Sequence, residues 1–179
     1  MRKRARLGVG VCAAVLSGFF TPATVAQAYL LDEGQQERCL EQHVEDEVFD
    51  EYWYRWVGED VWVGLQCGNA RWGYVHIAHR HQTEWQAKLD AGRAAGWNPE
   101  EQGIHTWDDL MAFAVREAVE RPGHRNIYTD RAKGCGIVEL GFVPDGEDEE
   151  SRFHFKATAV WDTDFGSIIS AYPTVKSHC

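Results

Sequence analysis

Arg152-Phe153-His154-Phe155-Lys156-Ala157-Thr158-Ala159-Val160-Trp161 is the stretch on which the fold turns. Phe153, Phe155, Ala157, Ala159 and Trp161 alternate with Arg152, His154, Lys156 and Thr158. That period of two marks a strand with one buried and one open face. Strand patterns also occupy Asn126 to Thr129, Gly136 to Val143 and Ser167 to Tyr172, and Asp145 to Glu150 reads as an acidic hairpin tip. Upstream the period changes. Tyr74, Ala78, Trp85 and Leu89 recur at helical spacing within Tyr74 to Asp90, and a loop follows from Gly92 to Gly103. Thr106-Trp107-Asp108-Asp109 opens a second helix in the manner of a capping box; it buries Leu110, Phe113, Ala114 and Ala118 and stops at Pro122-Gly123. Helices followed by strands predict an α+β fold, with N-terminal helices packed on a C-terminal antiparallel β-sheet.

Further out, residues 29–70 carry eleven acidic side chains against two basic ones, Arg38 and Arg55. Glu33 to Asp46 suits a short acidic helix, and Phe49 to Trp56 and Val61 to Leu65 suit strands broken at Gly58-Glu59-Asp60. Residues 71–179 are closer to balance, with 17 acidic and 12 basic side chains. The shift in composition predicts an acidic N-terminal extension over 29–70 and a compact domain over 71–179.

Residues 1–28 are a different kind of polymer. Arg2-Lys3-Arg4-Ala5-Arg6 precedes an uncharged apolar run from Leu7 to Phe20, and Ala26-Gln27-Ala28 supplies small residues for cleavage. This is the pattern of a signal peptide, and its apolar core is too short to span a bilayer comfortably. The expectation is a secreted protein with no membrane attachment after cleavage. Four cysteines then remain: Cys39, Cys67, Cys135 and Cys179. An even count in an exported chain predicts two disulfides, with three possible connectivities. The most local choice is Cys39–Cys67 with Cys135–Cys179. With 28 acidic and 18 basic residues in 179, the formal charge of −10 argues against nucleic-acid binding by bulk charge.

The chemistry-bearing segment is Tyr74-Val75-His76-Ile77-Ala78-His79-Arg80-His81. At about 100° per residue, His76, His79 and Arg80 share the face opposite Ala78 and Trp85. His81 falls on the apolar side, where a histidine is most often a hydrogen-bonded core residue. A histidine near a cation suits proton transfer or metal ligation. Zinc is the rival, since His76 and His79 lie one turn apart, but His-Glu-x-x-His and Cys-x-x-Cys are both absent, so no metal or cofactor is expected. Ser170 and Tyr172 face one side of the closing strand, and Arg131 and Lys133 lie in the turn before Gly134-Cys135-Gly136. Hydroxyls, a phenol and cations set against a helix histidine are what metal-free RNA cleavage requires.

Gly73-Tyr74-Val75-His76-Ile77-Ala78-His79-Arg80-His81, together with the closing Ile168-Ile169-Ser170-Ala171-Tyr172-Pro173, resembles the bacterial toxin ribonucleases of the barnase–EndoU–colicin–RelE-like superfamily. Similar end motifs mark the RNase A-like toxin domains of contact-dependent inhibition systems. The resemblance covers about Arg71 to Thr174. It implies that His76 and His81 supply the histidine function and that Arg80 orients them or binds phosphate. It places Ser170 where threonine is more usual and gives Tyr172 a substrate or transition-state contact. Arg131 or Lys133 becomes the strand-side cation for an RNA substrate. His79 is an extra histidine. A lethal nuclease also requires an immunity protein or export before folding, and the sequence itself shows neither.

The reading is therefore a secreted, metal-independent, toxin-like endoribonuclease, whose acidic 29–70 segment packs on the domain or shields its groove. Two rivals stand beside it. One is a non-enzymatic secreted binding module using the aromatic surface of Tyr52, Trp53, Tyr54, Trp56, Trp62 and Trp72. The other is a zinc-binding secreted protein.

Overall fold

The alternating stretch forms the fifth strand of a six-stranded sheet in a computed structural model that describes residues 30–142 and 153–179. The signal segment 1–28 and the acidic tip Asp145 to Glu150 lie outside the described residues. A short helix, α1 (Glu33–Gln36), widens into a π turn over Glu37–Glu41, and strands β1 (Val48–Trp56) and β2 (Glu59–Gln66) follow. Next come α2 (Gly73–Ala94), a 3₁₀ turn at Pro99–Gln102 and α3 (Trp107–Glu120). The chain finishes through β3 (His124–Tyr128), β4 (Lys133–Phe142), β5 (Phe153–Asp162) and β6 (Ser167–Thr174). The strand order across the sheet is β1-β2-β6-β5-β4-β3.

Local sequence explains the helix starts. Asp32 caps α1 by accepting from Gln35 N at 2.7 Å, and the Gln35 side chain returns to Asp32 N at 3.1 Å. Thr106 and Asp109 form the expected reciprocal pair at α3. Asp109 also accepts from His105 N at 2.9 Å and from Leu30 N at 2.8 Å, so one buried carboxylate ties the start of α3 to the segment before α1. At the start of α2, burial, with help from the Asp108 carboxylate, pushes the Tyr74 phenol well above the ordinary tyrosine range.

The fold is α+β, as expected, but the sheet is mixed and the helices do not all precede the strands. The β1–β2 hairpin comes before α2 and docks beside β6 in parallel, through Gly64 opposite Ser167. Gly64 N donates to Gly166 O at 2.8 Å across that join. The reason lies in the hairpin's alternation. Tyr52, Tyr54, Val63 and Leu65 are buried in the same core as Ile77, Trp85 and Leu89 of α2 and Leu110, Val115 and Val119 of α3. Of the hairpin's acids, Glu51 lies on the other face, Glu59 and Asp60 sit at the turn, and Asp50 on the helix side pairs with Arg116 of α3 at 2.7 Å, so composition alone reads the hairpin as an extension. Residues within 29–70 thus supply two strands and part of the core that residues 71–179 complete.

Only β3 to β6 follow the antiparallel meander read from sequence. Trp161 of β5 is fully buried on the helix side of that meander, across from Gly134 of β4. Where α3 crosses β4 the approach is closest: a Cβ on Gly136 would overlap the Ala118 carbonyl. Gly136→Ala is therefore expected to destabilise the protein by about 1–3 kcal/mol. Gly123→Ala, whose nearest neighbour would be Ile137 O at 3.6 Å, should be near neutral. Urea midpoints of the two variants against wild type check this; equal midpoints would mean that α3 can lift from the sheet at little cost.

Both disulfides have the local connectivity, Cys39–Cys67 and Cys135–Cys179. The first fastens the α1 region to the end of β2, and the second fastens β4 to the segment after β6. No helix of the described residues is long and apolar enough to cross a membrane.

Candidate active site

The site begins with a tight turn between β2 and α2. Gly73 takes a φ of 78°, and a Cβ there would press on the carbonyls of Gln66 and Cys67. Val75 N donates to Cys67 O at 3.0 Å, which seats the first turn of α2 on the disulfide-bonded end of β2. The intervening loop closes on itself, with Asn69 N donating to Trp72 O at 2.9 Å and Arg71 N to Asn69 Oδ1 at 2.9 Å. Asn69 Nδ2 in turn donates to Glu45 Oε2 at 2.7 Å. The Ala70 carbonyl is thereby held 3.0 Å from Nδ1 of His76.

That contact fixes the tautomer. A carbonyl oxygen can only accept, so His76 Nδ1 carries the proton and Nε2 is left for other chemistry. His81 repeats the arrangement through a different partner: its Nδ1 lies 2.9 Å from Glu84 Oε2, one turn along the helix. The two rings stand 6.2 Å apart between centroids at 75°. His81 also lies 5.1 Å from the ring of Tyr172.

Helix and strand meet here because β2 leaves β6 early. The β2–β6 pairing is confined to Gly64 and Ser167, and α2 runs along the rest of β6. Trp85 Nε1 donates to the Ala171 carbonyl at 3.1 Å, locking the helix to that strand. One turn earlier, His81 meets Tyr172. His81 does lie on the apolar side of α2, between the fully buried Ile77 and Trp85, but as a residue 20% exposed at the edge of the core and not within it.

The other expected residues divide. Ser170 shares a sheet face with Tyr172, since Val160 opposes Ser170 and Thr158 opposes Tyr172. It is buried and makes no hydrogen bond to either imidazole among the described residues. Arg80 is exposed one turn beyond His76, with no ion-pair partner among the described residues and no hydrogen bond to either imidazole. Arg131 and Lys133 join Tyr172 around one cavity of about 220 Å³. The Arg131 guanidinium lies 5.7 Å over the Tyr128 ring and 3.4 Å from Asp130.

Sequence reading missed the two tethers and the far wall of the cavity. Glu84, three residues after His81 on one helix, was readable from spacing. The Ala70 carbonyl was not, since a backbone group has no sequence signal. Lys176 and His178 line the cavity because Cys179 is bonded to Cys135 beneath them. Among the described residues, no group of three or more His, Cys, Asp or Glu side chains could hold a metal ion. The aromatic set named for a binding surface splits by burial: Tyr52 and Tyr54 are core, Trp53 and Trp56 are exposed, and Trp62 and Trp72 are half-buried.

Comparison of the chain with known protein families, curated proteins and solved structures finds no match.

Proposed function

We propose that this protein is a secreted, toxin-like endoribonuclease that cleaves RNA without a metal, by attack of the ribose 2′-hydroxyl on the adjacent phosphorus. The observation that carries the reading is the pair of imidazoles 6.2 Å apart, each tethered through Nδ1, one of them against a phenol. One Nε2, unprotonated, takes the 2′-hydroxyl proton as the new P–O bond forms. The other, protonated, delivers a proton to the departing 5′-oxygen. The products are a 2′,3′-cyclic phosphate and a 5′-hydroxyl, and the two histidines exchange protonation states. In this reading Tyr172, beside His81, donates to a phosphate oxygen, and Arg131 and Lys133 offset charge on the phosphoryl group.

The overall acidity does not oppose this reading, because Arg71, Arg80, Arg131, Lys133 and Lys176 all lie next to or around the site in the sequence or the fold. Two disulfides support an exported protein, and the signal segment agrees. As a lethal enzyme it calls for an immunity protein as partner.

The test is incubation of an RNA oligonucleotide with the oxidised protein lacking residues 1–28, in excess EDTA. Products ending in 2′,3′-cyclic phosphate are expected. The same oligonucleotide with a single 2′-deoxyribose at the cleaved position should stay intact there. Uncut RNA in the presence of folded protein would overturn the reading, and a binding module displaying Trp53 and Trp56 would take its place.

A further inference from the structure

The cavity beside Tyr172 contains a group that the fold itself does not use. Thr158 is only 4% exposed, and its Oγ1 is buried with no hydrogen-bond partner among the described residues. A buried hydroxyl without a partner is costly, and valine of almost the same shape avoids the cost. Thr158 faces the cavity from β5, in register with Ile137 of β4 and Tyr172 of β6. Apolar walls of Ile137 and Val160, an aromatic side from Tyr128 and one unsatisfied hydroxyl at the base suit a flat heteroaromatic ring with a polar edge.

The rim has the opposite character. Lys133 and Lys176 are exposed and have no carboxylate partner among the described residues, and Arg131 stands beside them. The Lys176 side of the rim is held in place by two links. Cys179 is disulfide-bonded to Cys135, and Tyr128 Oη donates to Cys179 O at 3.1 Å.

We infer that this cavity is a nucleotide subsite, with a nucleobase inside against Tyr128 and Thr158 and its phosphate on Lys133, Lys176 and Arg131. A threonine hydroxyl both donates and accepts, so it can bond the edge of a base and discriminate among bases. The inference deepens the ribonuclease reading, because Tyr172 is shared by the cavity and the imidazole pair, and the bound nucleotide then neighbours the scissile phosphate.

The four nucleoside 3′-monophosphates and the four nucleosides are the probes, titrated into oxidised protein and followed by amide chemical shifts. The nucleotides should bind in a ranked order and shift the amides of β4 and β5. Thr158→Val should weaken the preferred nucleotide about 10-fold, flatten the ranking and raise the thermal midpoint. Lys176→Ala should weaken nucleotides several-fold and leave nucleosides unchanged. An unchanged ranking in Thr158→Val, shifts confined to other strands, or no binding would overturn the subsite. Ranked, Thr158-dependent binding in a protein that cuts no RNA would keep the subsite and remove the ribonuclease. Cleavage that ignores Thr158 would do the reverse.

Discussion

Replacing His76 by alanine is expected to slow RNA cleavage by about 10²–10⁴-fold, the range for loss of one general acid or base. His81→Ala should fall as far. The double variant should be little worse than either single one, because proton donor and acceptor act as a unit. His79→Ala is the internal control: that side chain is exposed and has no partner among the described residues, so its rate should stay within about twofold. Single-turnover cleavage separates the chemical step from binding, and circular dichroism shows whether each variant is folded. A His76→Ala protein retaining a tenth of the wild-type rate would remove His76 from the proton-transfer step. The backbone tether makes a finer distinction. His76→Gln keeps a donor for the Ala70 carbonyl but loses the imidazole, so it should be as inactive as alanine while better preserving the turn before α2.

Reduction of both disulfides is expected to unfold the protein or bring it to the edge of unfolding. The bonds close loops with sequence separations of 28 and 44 residues. Loop-closure entropy assigns each about 4 kcal/mol, against a total stability of about 5–15 kcal/mol for a domain of this kind. Urea unfolding with and without reductant measures the sum, and single cysteine-pair replacements divide it. The two bonds should also differ in what they protect. Loss of Cys39–Cys67 loosens the turn that presents Ala70 to His76 and should lower the cleavage rate of the folded fraction. Loss of Cys135–Cys179 frees Lys176 and should act mainly on substrate binding. A reduced protein with an unchanged midpoint would show that the core alone sustains the fold.

Sequence periodicity reached the elements that bury one clean face. The capping box at Thr106, the alternation through β5 and the stop at Pro122 all correspond to observed structure. It did not reach the mixed sheet. The join of β2 to β6 is a single residue pair, Gly64 with Ser167, between segments more than 100 residues apart, and the nearby Gln66–Ser167 side-chain bond has a separation of 101. Nothing local in either strand encodes that contact. The candidate site was legible in the residues that carry functional groups, His76, His81 and Tyr172, which the structure brings together. Helical phase put His81 on the buried stripe, where it lies between Ile77 and Trp85, but could not show its partial exposure there, because that is set by Tyr172 and the open edge across from it. Thr158 was misread for a similar reason. Alternation put it on the open face of β5, and a segment tied down by Cys179 covers that face.

The position of β6 in the sheet has a consequence for how the protein is born. Every other strand precedes it in the chain, yet β6 lies between β2 and β5. While a ribosome or an export channel still holds the stretch around residue 167, the β1–β2 hairpin has no neighbour, the meander has a bare edge, and His81 faces no phenol. Docking across so long an intervening chain is slow compared with forming hairpins or helices. In a chain made N-terminus first, the early histidines are therefore in place long before the phenol that His81 faces. The imidazole–phenol contact is thus the last part of the site to assemble, whatever order the earlier elements form in.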